Sequence, residues 1–266
     1  MNKIKELLKF KVLPKKLYLK YSAYNKLQRV KKKKETELLL LPYLIDKNKD
    51  AIDAGANTGL YTYFLSKLAK KVYAFEPHTN LATFLDKATK YNVTVINKAL
   101  SNTQSTLPFY IPVTGTRKHL NIASLNKNIN NNHQCITEKI QTITLDELGY
   151  NNIGFIKIDV EGYESEVFDG SEATLREDGV FGVILELIGQ SEKYGSQAEM
   201  VHQRMLNFGF LPYQYVPYER RLILLDGKDF SKKNPFDANV LYIKNKEFVL
   251  DRLKSGQAFE IWNKQI

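Results

Sequence analysis

Residues 50–59 read DAIDAGANTG, and this stretch decides the fold. A short apolar pair, Ala51-Ile52, leads into the acid Asp53. A turn of small residues follows, Gly55-Ala56-Asn57-Thr58-Gly59, and then a helix-like run over 60–70. Strand, small-residue turn and helix make the opening unit of a nucleotide-binding α/β domain.

The chemistry of the turn separates the nucleotides it could take. A phosphate-binding P-loop needs GxxxxGK[ST], and Gly59 is followed by Leu60-Tyr61, so the phosphate lysine is missing. A dinucleotide site wants GxGxxG, so that backbone can approach a pyrophosphate. Here Asn57 stands between Gly55 and Gly59. A carboxylate at Asp53 would repel a pyrophosphate. It suits the ammonium of S-adenosylmethionine, which carries a cationic sulfonium and no phosphate. The pattern D-x-G-x-x-x-G therefore favours S-adenosylmethionine over NAD. Glu76, at the end of the second expected strand, is placed to accept hydrogen bonds from ribose hydroxyls, which fits either adenosine ligand. Tyr63 and Lys67 have the Tyr-x-x-x-Lys spacing of some hydride-transfer enzymes. They fall in the helix leaving the first turn, away from substrate chemistry, so the spacing is read as coincidence.

Outward from this turn the chain alternates strand and helix. Strands are expected over 51–54, 72–75, 93–96, 155–160 and 180–187, short and apolar on both faces as buried parallel strands are. Helices are expected over 60–70, 81–91, 163–175 and 197–208, the last ended by Gly209 as a C-terminal cap. Later strands fall over 210–216, 222–225 and 239–243, with a terminal helix over 246–253. Alternating units of this kind imply a mostly parallel sheet with right-handed crossovers and helices on both faces. Residues 100–150 break the rhythm, with strands over 106–111 and 138–145. Between them, residues 121–132 hold six asparagines and read as a mobile loop. Residues 35–45 form a helical run ended by Pro42 and expected on the sheet edge. The chain thus divides into a basic helical extension, 1–45, and a catalytic domain, 46–266, with 100–150 as a variable cap.

Charge is uneven along the chain. Residues 1–34 carry 13 Lys/Arg against one acid, Glu6, which leaves 26 basic and 28 acidic residues to the rest. The basic character belongs to the extension, which argues against a broad nucleic-acid surface on the body. It leaves residues 1–34 free to meet something anionic, with peripheral contact to a membrane surface as one expectation. No apolar run approaches the roughly 18 residues of a spanning helix. The N-terminus is too interrupted by lysine for a signal-peptide core. A cytoplasmic protein is the expected placement; a solvated helical extension or partner contact is the plainer reading of residues 1–34, and a peripheral position at the inner membrane surface is the alternative. A single cysteine, Cys135, excludes an intramolecular disulfide and multi-cysteine metal sites.

With these residues in place the chain resembles the FkbM-type methyltransferases, a branch of the class I S-adenosylmethionine-dependent methyltransferases. The resemblance rests on residues 52–59, IDAGANTG, with Tyr61-Thr62, and on Ala74-Phe75-Glu76-Pro77. Downstream it rests on Ala99-Leu100-Ser101, Thr144-Leu145-Asp146 and residues 155–164, FIKIDVEGYE. It implies a Rossmann-like sheet of seven strands, one of them antiparallel near an edge. It also implies S-adenosylmethionine as cofactor and methyl transfer to a hydroxyl oxygen of a sugar, glycan or similar small molecule. By position, Asp53, Gly55, Asn57 and Gly59 would form the cofactor turn and Glu76 would take the ribose. Backbone around Ala99 and Leu100 would lie against the adenine. Asp159, ending the fourth core strand, would point at the methyl group.

Methyl transfer from a sulfonium is an in-line displacement, so alignment of the reacting atoms dominates. An alcohol is a weak nucleophile, and a general base contributes roughly 10²–10⁴. Asp159 is the first candidate, as base or as positioner of the hydroxyl. Glu161 is the second, although a helix-start acid favoured by the dipole is the plainer reading. Glu186 lies inside an apolar strand, where an unpaired charge is costly, so it reaches the site or a partner. These three carboxyls suit a divalent cation, yet nothing in the sequence requires a metal. His78, His119 and His133 are loop residues near the expected cleft. Two alternatives stand beside the glycan reading. One is an RNA methyltransferase guided by the basic tail, although the Asn/Asp-Pro-Pro-aromatic motif of base-amino methyltransferases is replaced here by Asp159-Val160-Glu161-Gly162. The other is a non-catalytic S-adenosylmethionine-binding module.

Overall fold

The computed structural model describes residues 14–33, 36–130, 134–187, 192–225, 239–255, 260–261 and 264–265. Among the described residues no helix is long and apolar enough to cross a membrane. The expected helix over 2–34 is present as α1, Lys15–Lys33, and its first residues, with His133 of the loop, lie outside the described residues.

The opening stretch folds as read. Strand β1 is Asp50–Ala54, buried at all five positions, and the turn feeds helix α3, Leu60–Leu68, after α2, Glu37–Leu44. Strand β2, Val72–Phe75, helix α4, Thr79–Ala88, and strand β3, Val93–Ile96, follow. The remaining elements of the main sheet are β8, Ile153–Ile158, β9, Gly182–Glu186, β10, Leu211–Val216, β11, Arg221–Leu224, and β12, Asn239–Ile243. Their order is β11-β10-β12-β9-β8-β1-β2-β3. Strands β3, β2, β1, β8 and β9 run parallel. β12 is antiparallel to both β9 and β10, and β11 is antiparallel to β10.

The sheet therefore has eight strands, not seven, and two of them run against the rest. The eighth is β11, which adds to β10 as a hairpin and closes the edge. β3 also departs from the doubly buried pattern: it is an edge strand and stays partly exposed.

Side chains alternate between the two faces. On one face Ala51, Phe155, Ile184 and Leu241 pack under α2, α3 and α8, Lys246–Ser255. On the other, Ile52, Ile156, Val183 and Leu185 pack under α5, Glu164–Asp169, α6, Glu172–Arg176, and α7, Glu192–Asn207. Helix α2 does not sit at the sheet edge. Its Leu38, Leu40, Leu41 and Leu44 are buried across the middle of the first face. Pro42 lies inside α2 rather than ending it. Burial of this apolar helix outweighs the one hydrogen bond that proline removes. The expected single helix over 163–175 is two, α5 and α6. The break has a cause at Gly170, where a Cβ would stand 1.9 Å from the Ser101 carbonyl oxygen. Asp146 then caps α6, accepting from the Ala173 and Thr174 N–H groups at 2.9 Å each. Thr144-Leu145-Asp146 thus has a structural use.

Residues 99–143 build a second sheet, β4-β7-β5-β6, from β4, Ala99–Leu100, β5, Thr106–Thr114, β6, Arg117–Lys118, and β7, Cys135–Ile143. It has its own small core of Phe109, Ile111, Ala123 and Ile140. Helix α1 packs on the body, with Leu19 buried beside Ala56, Phe84 and Leu85.

Candidate active site

The sheet face under α3 turns polar at the carboxyl ends of its strands. Asp53 continues the face of Ala51, Lys157 and Asp159 continue that of Phe155, and Glu186 continues that of Ile184. Asp53 stands opposite Lys157 in register, and Lys157 opposite Ile184. Ligands of open α/β sheets bind at these strand ends.

The turn after β1 is held by backbone. Gly55 and Ala56 donate to the Phe75 carbonyl at 3.0 and 2.9 Å. Gly55 has a φ of +78°, and a Cβ there would meet the Asp159 carbonyl oxygen at 1.9 Å. Only glycine lets this turn press against the end of β8, where Asp159 donates its N–H to Ala54. Asn57 has a φ of +51°, a conformation Asn tolerates. Gly59 precedes α3 in the left-handed region.

Two acids frame this turn. Asp53 is buried, accepts from the Thr62 hydroxyl at 2.5 Å, and burial pushes it up to about 6 despite that bond. Glu76 is buried and accepts the Asn57 N–H on one oxygen and the His78 N–H on the other, at 2.7 and 2.8 Å. Burial pushes it up to about 7. The Glu76 carboxylate is thus clamped with its plane fixed, leaving lone pairs for diol recognition. His78 is buried at the start of α4 rather than lying in an open loop; its Nε2 is 3.7 Å from Glu138 and its Nδ1 has no hydrogen-bond partner. Ala99 and Leu100 bury their side chains in the cap core and the main core, so only their backbone is available to a ligand.

The second group lies at the end of β8. Asp159, Glu161 and Glu186 bring carboxylate oxygens within 4.8 Å of one another. Lys157 places its Nζ 3.2 Å from Asp159 Oδ2. Asp159 and Glu186 approach each other from the ends of the neighbouring strands β8 and β9. Burial alone would raise Asp159, but the Lys157 ammonium overrides it and holds Asp159 below the usual carboxylate range. Glu186 moves the other way, raised by burial and then by the Asp159 charge. Glu161, with a φ of +52°, is raised to about 8 by burial and by Asp159. A backbone this strained on a non-glycine residue is typical of functional sites. With one proton on the pair and an ammonium already seated on Asp159, the trio is closer to neutral than a cation site would be.

The asparagine-rich segment is not free. Ser124 donates its hydroxyl to the Glu161 carbonyl at 2.7 Å, and the Asn126 side chain donates to the Gly162 carbonyl at 3.0 Å. Ser124 and Tyr110 also exchange backbone bonds. The cap is therefore docked on the strained turn beside Asp159. His119 is tied to Thr114 at 3.1 Å.

Sequence reasoning quoted Thr62, Lys157 and Glu164 within its motifs without giving them a role, and passed over Ser124. The alternation of β8 held the signal for Lys157, because residues 157 and 159 must share a face. Glu164 is buried, accepts the Gly162 N–H at 2.9 Å, and burial pushes it up to about 7. In the unfolded chain a glutamate titrates near about 4.3. Folded protein then binds the extra proton between these values, and the contribution of Glu164 to stability is lost as pH rises through about 7. Glu164→Gln, which keeps an acceptor for Gly162 without needing a proton, is expected to raise the melting temperature at pH 8 and leave it unchanged at pH 5. A rise of equal size at both values in scanning calorimetry would contradict the assignment.

The sequence of residues 53–212 matches the family model of the methyltransferase FkbM domain. No curated protein matches the chain significantly. Among solved structures, methyltransferase FkbM from Methylobacillus flagellatus KT is 14% identical with a TM-score of 0.47, over 75% of this chain and 44% of that one. The chain thus spans less than half the length of that neighbour. SMU.1697c of Streptococcus mutans, described as a methyltransferase and solved with SAH, is 16% identical with a TM-score of 0.43, over 79% of this chain and 97% of that one.

Proposed function

The chain belongs to the FkbM methyltransferase family, and on that premise we propose that it methylates a hydroxyl oxygen of a sugar, glycan or similar small molecule. The observation that carries the proposal is the close approach of Gly55 to the Asp159 backbone carbonyl, which presses the turn after β1 against the end of β8 where Asp159 stands.

The family's cofactor is S-adenosylmethionine, and the residues present fit it. Gly55 leaves a cradle that a Cβ would fill. Asp53 offers a carboxylate where an ammonium is wanted, and the clamped Glu76 offers acceptors to a ribose diol. When bound, S-adenosylmethionine supplies a methyl group already activated on sulfur. Asp53 and Glu76 would hold the cofactor, and Asp159 would accept the hydroxyl proton of the acceptor and release it to solvent.

The choice of an oxygen acceptor draws support from the turn Asp159-Val160-Glu161-Gly162, which offers a base in place of a proline-rich base-stacking motif. The docked Ser124 and Asn126 add polar walls suited to hydroxyl-bearing molecules. The test is transfer of labelled methyl from S-adenosylmethionine to a panel of nucleotide sugars and envelope glycans, with total RNA in parallel. Label in an alkali-stable methyl ether supports the proposal. Label confined to RNA overturns it.

A second surface feature favours contact with an anionic membrane. Lys67 is lowered first by partial burial and then by the charges of Lys90 and Lys20, so three lysines from α3, the end of α4 and α1 lie together. Leu17, 50% exposed, and Tyr91, fully exposed, belong to the same segments. Basic residues interleaved with exposed apolar ones suit an anionic bilayer interface. The protein is expected to sediment with phosphatidylglycerol vesicles at low salt and to be released by 0.5 M salt on the order of a 3–4 Å Debye length. Equal binding to neutral phosphatidylcholine vesicles would contradict this.

A further inference from the structure

We propose that Lys157 is a positioning residue: by pairing with Asp159 it makes Asp159 the ionised carboxylate of the site and leaves the shared proton on Glu186. The catalytic use of this arrangement rests on the methyltransferase reading above.

Two half-buried carboxyls whose oxygens lie within 4.8 Å of each other resist ionising together, so Asp159 and Glu186 hold one proton between them. Which of them keeps it decides which can accept a proton from substrate. Lys157 is 1% exposed, and its Nζ is 3.2 Å from Asp159 Oδ2. It also donates to the Ile158 carbonyl at 3.3 Å and lies 5.1 Å from the Tyr61 ring, and Asp53 stands opposite it on β1. An ammonium at this depth must be paired, and Asp159 is the carboxylate in contact with it. The groups facing Asp159 are Lys157 on β8, Glu186 on β9, Glu161 on the following turn, Asp53 on β1, Glu164 on α5 and Lys26 on α1. Charges on Glu161, Asp53 and Glu164 oppose a charge on Asp159, whereas the two lysines and a protonated Glu186 favour it, with Lys157 the dominant cation.

The consequence for the reaction is a division of roles. Asp159, one third exposed, presents the basic oxygen to the acceptor. Glu186, with its carboxyl oxygen within 4.8 Å of that of Asp159, keeps the proton. Lys157 touches neither cofactor nor acceptor and acts only through Asp159.

The experiment needs no acceptor. Protein labelled with carbon-13 at the side-chain carboxyls of Asp and Glu is titrated by NMR, with Asp159→Asn and Glu186→Gln assigning the two signals. Wild-type Asp159 is expected to stay ionised below the ordinary aspartate range while Glu186 is protonated at pH 7. In Lys157→Met the Asp159 titration moves to higher pH, and in Lys157→Arg, which restores the charge, it returns toward wild type. A structural role alone would leave the Asp159 titration in place. An unmoved Asp159 in a folded Lys157→Met variant overturns the proposal, as does a wild-type protein with Glu186 ionised and Asp159 protonated. The wild-type titration decides by itself if Lys157→Met fails to fold. Binding of S-adenosylhomocysteine to the same samples is read separately: its absence removes the methyltransferase reading and leaves the proton assignment standing.

Discussion

Gly55→Val is expected to abolish binding of S-adenosylmethionine. Two independent costs fall on this one residue. The first is conformational: a φ of +78° lies in the left-handed region, which costs a side chain of L configuration roughly 1–2 kcal/mol, more when it is β-branched. The second is steric. The Cβ would stand 1.9 Å from the Asp159 carbonyl oxygen and 2.9 Å from its carbon, and both are backbone atoms of a central strand end. Neither can turn aside as a side-chain tip would. The turn must lift away from β8, taking with it the Asn57 N–H that clamps Glu76. Affinity is expected to fall by more than about 100-fold, since each 1.4 kcal/mol is a factor of ten. Calorimetry measures it, with circular dichroism confirming that the sheet has formed. A folded variant with wild-type affinity would show that the ligand does not use this turn.

Asp159→Asn is expected to separate binding from chemistry. Asn keeps nearly the same shape and an acceptor oxygen for Lys157. The loss of stability should therefore stay below the about 3–5 kcal/mol of a broken buried ion pair. Asp53 and Glu76 remain, so affinity for S-adenosylhomocysteine should stay within a few-fold of wild type. The amide cannot accept the hydroxyl proton. Turnover is expected to fall by about 10²–10⁴, the usual contribution of a general base. Single-turnover transfer of labelled methyl to the acceptor found in the glycan panel measures this. Wild-type turnover would remove Asp159 as base and leave it a positioner at most.

Much of this site was legible in the sequence because its parts are local. Asp53, Gly55 and Gly59 lie within one turn, and strand–turn–helix geometry alone brings them to the sheet end. Glu76 follows from the same rule one strand over. The charge on Asp159 was not legible, since it depends on Lys157, Glu186 and Asp53 meeting across three neighbouring strands. Register between strands is a tertiary property, and only the i, i+2 relation of residues 157 and 159 lay within one segment. The asparagine-rich segment misled for a related reason. Its composition is that of a loop, but Ser124 and Asn126 find their partners at Glu161 and Gly162, 37 and 36 residues away. Pro42 misled in the other direction: a local breaker was overruled by burial of the leucines around it. The eighth strand, β11, was visible as an apolar run, but a seven-strand expectation left it no place in the sheet.

The turn over residues 53–59 is expected to take a cationic, phosphate-free adenosine ligand. Calorimetric titration of the wild-type protein with S-adenosylmethionine, and in a parallel cell with NAD, measures this. One saturable site for S-adenosylmethionine is expected, weakened as pH falls through about 6 where Asp53 takes up its proton, with no binding of NAD. Saturable binding of NAD with none of S-adenosylmethionine would contradict it.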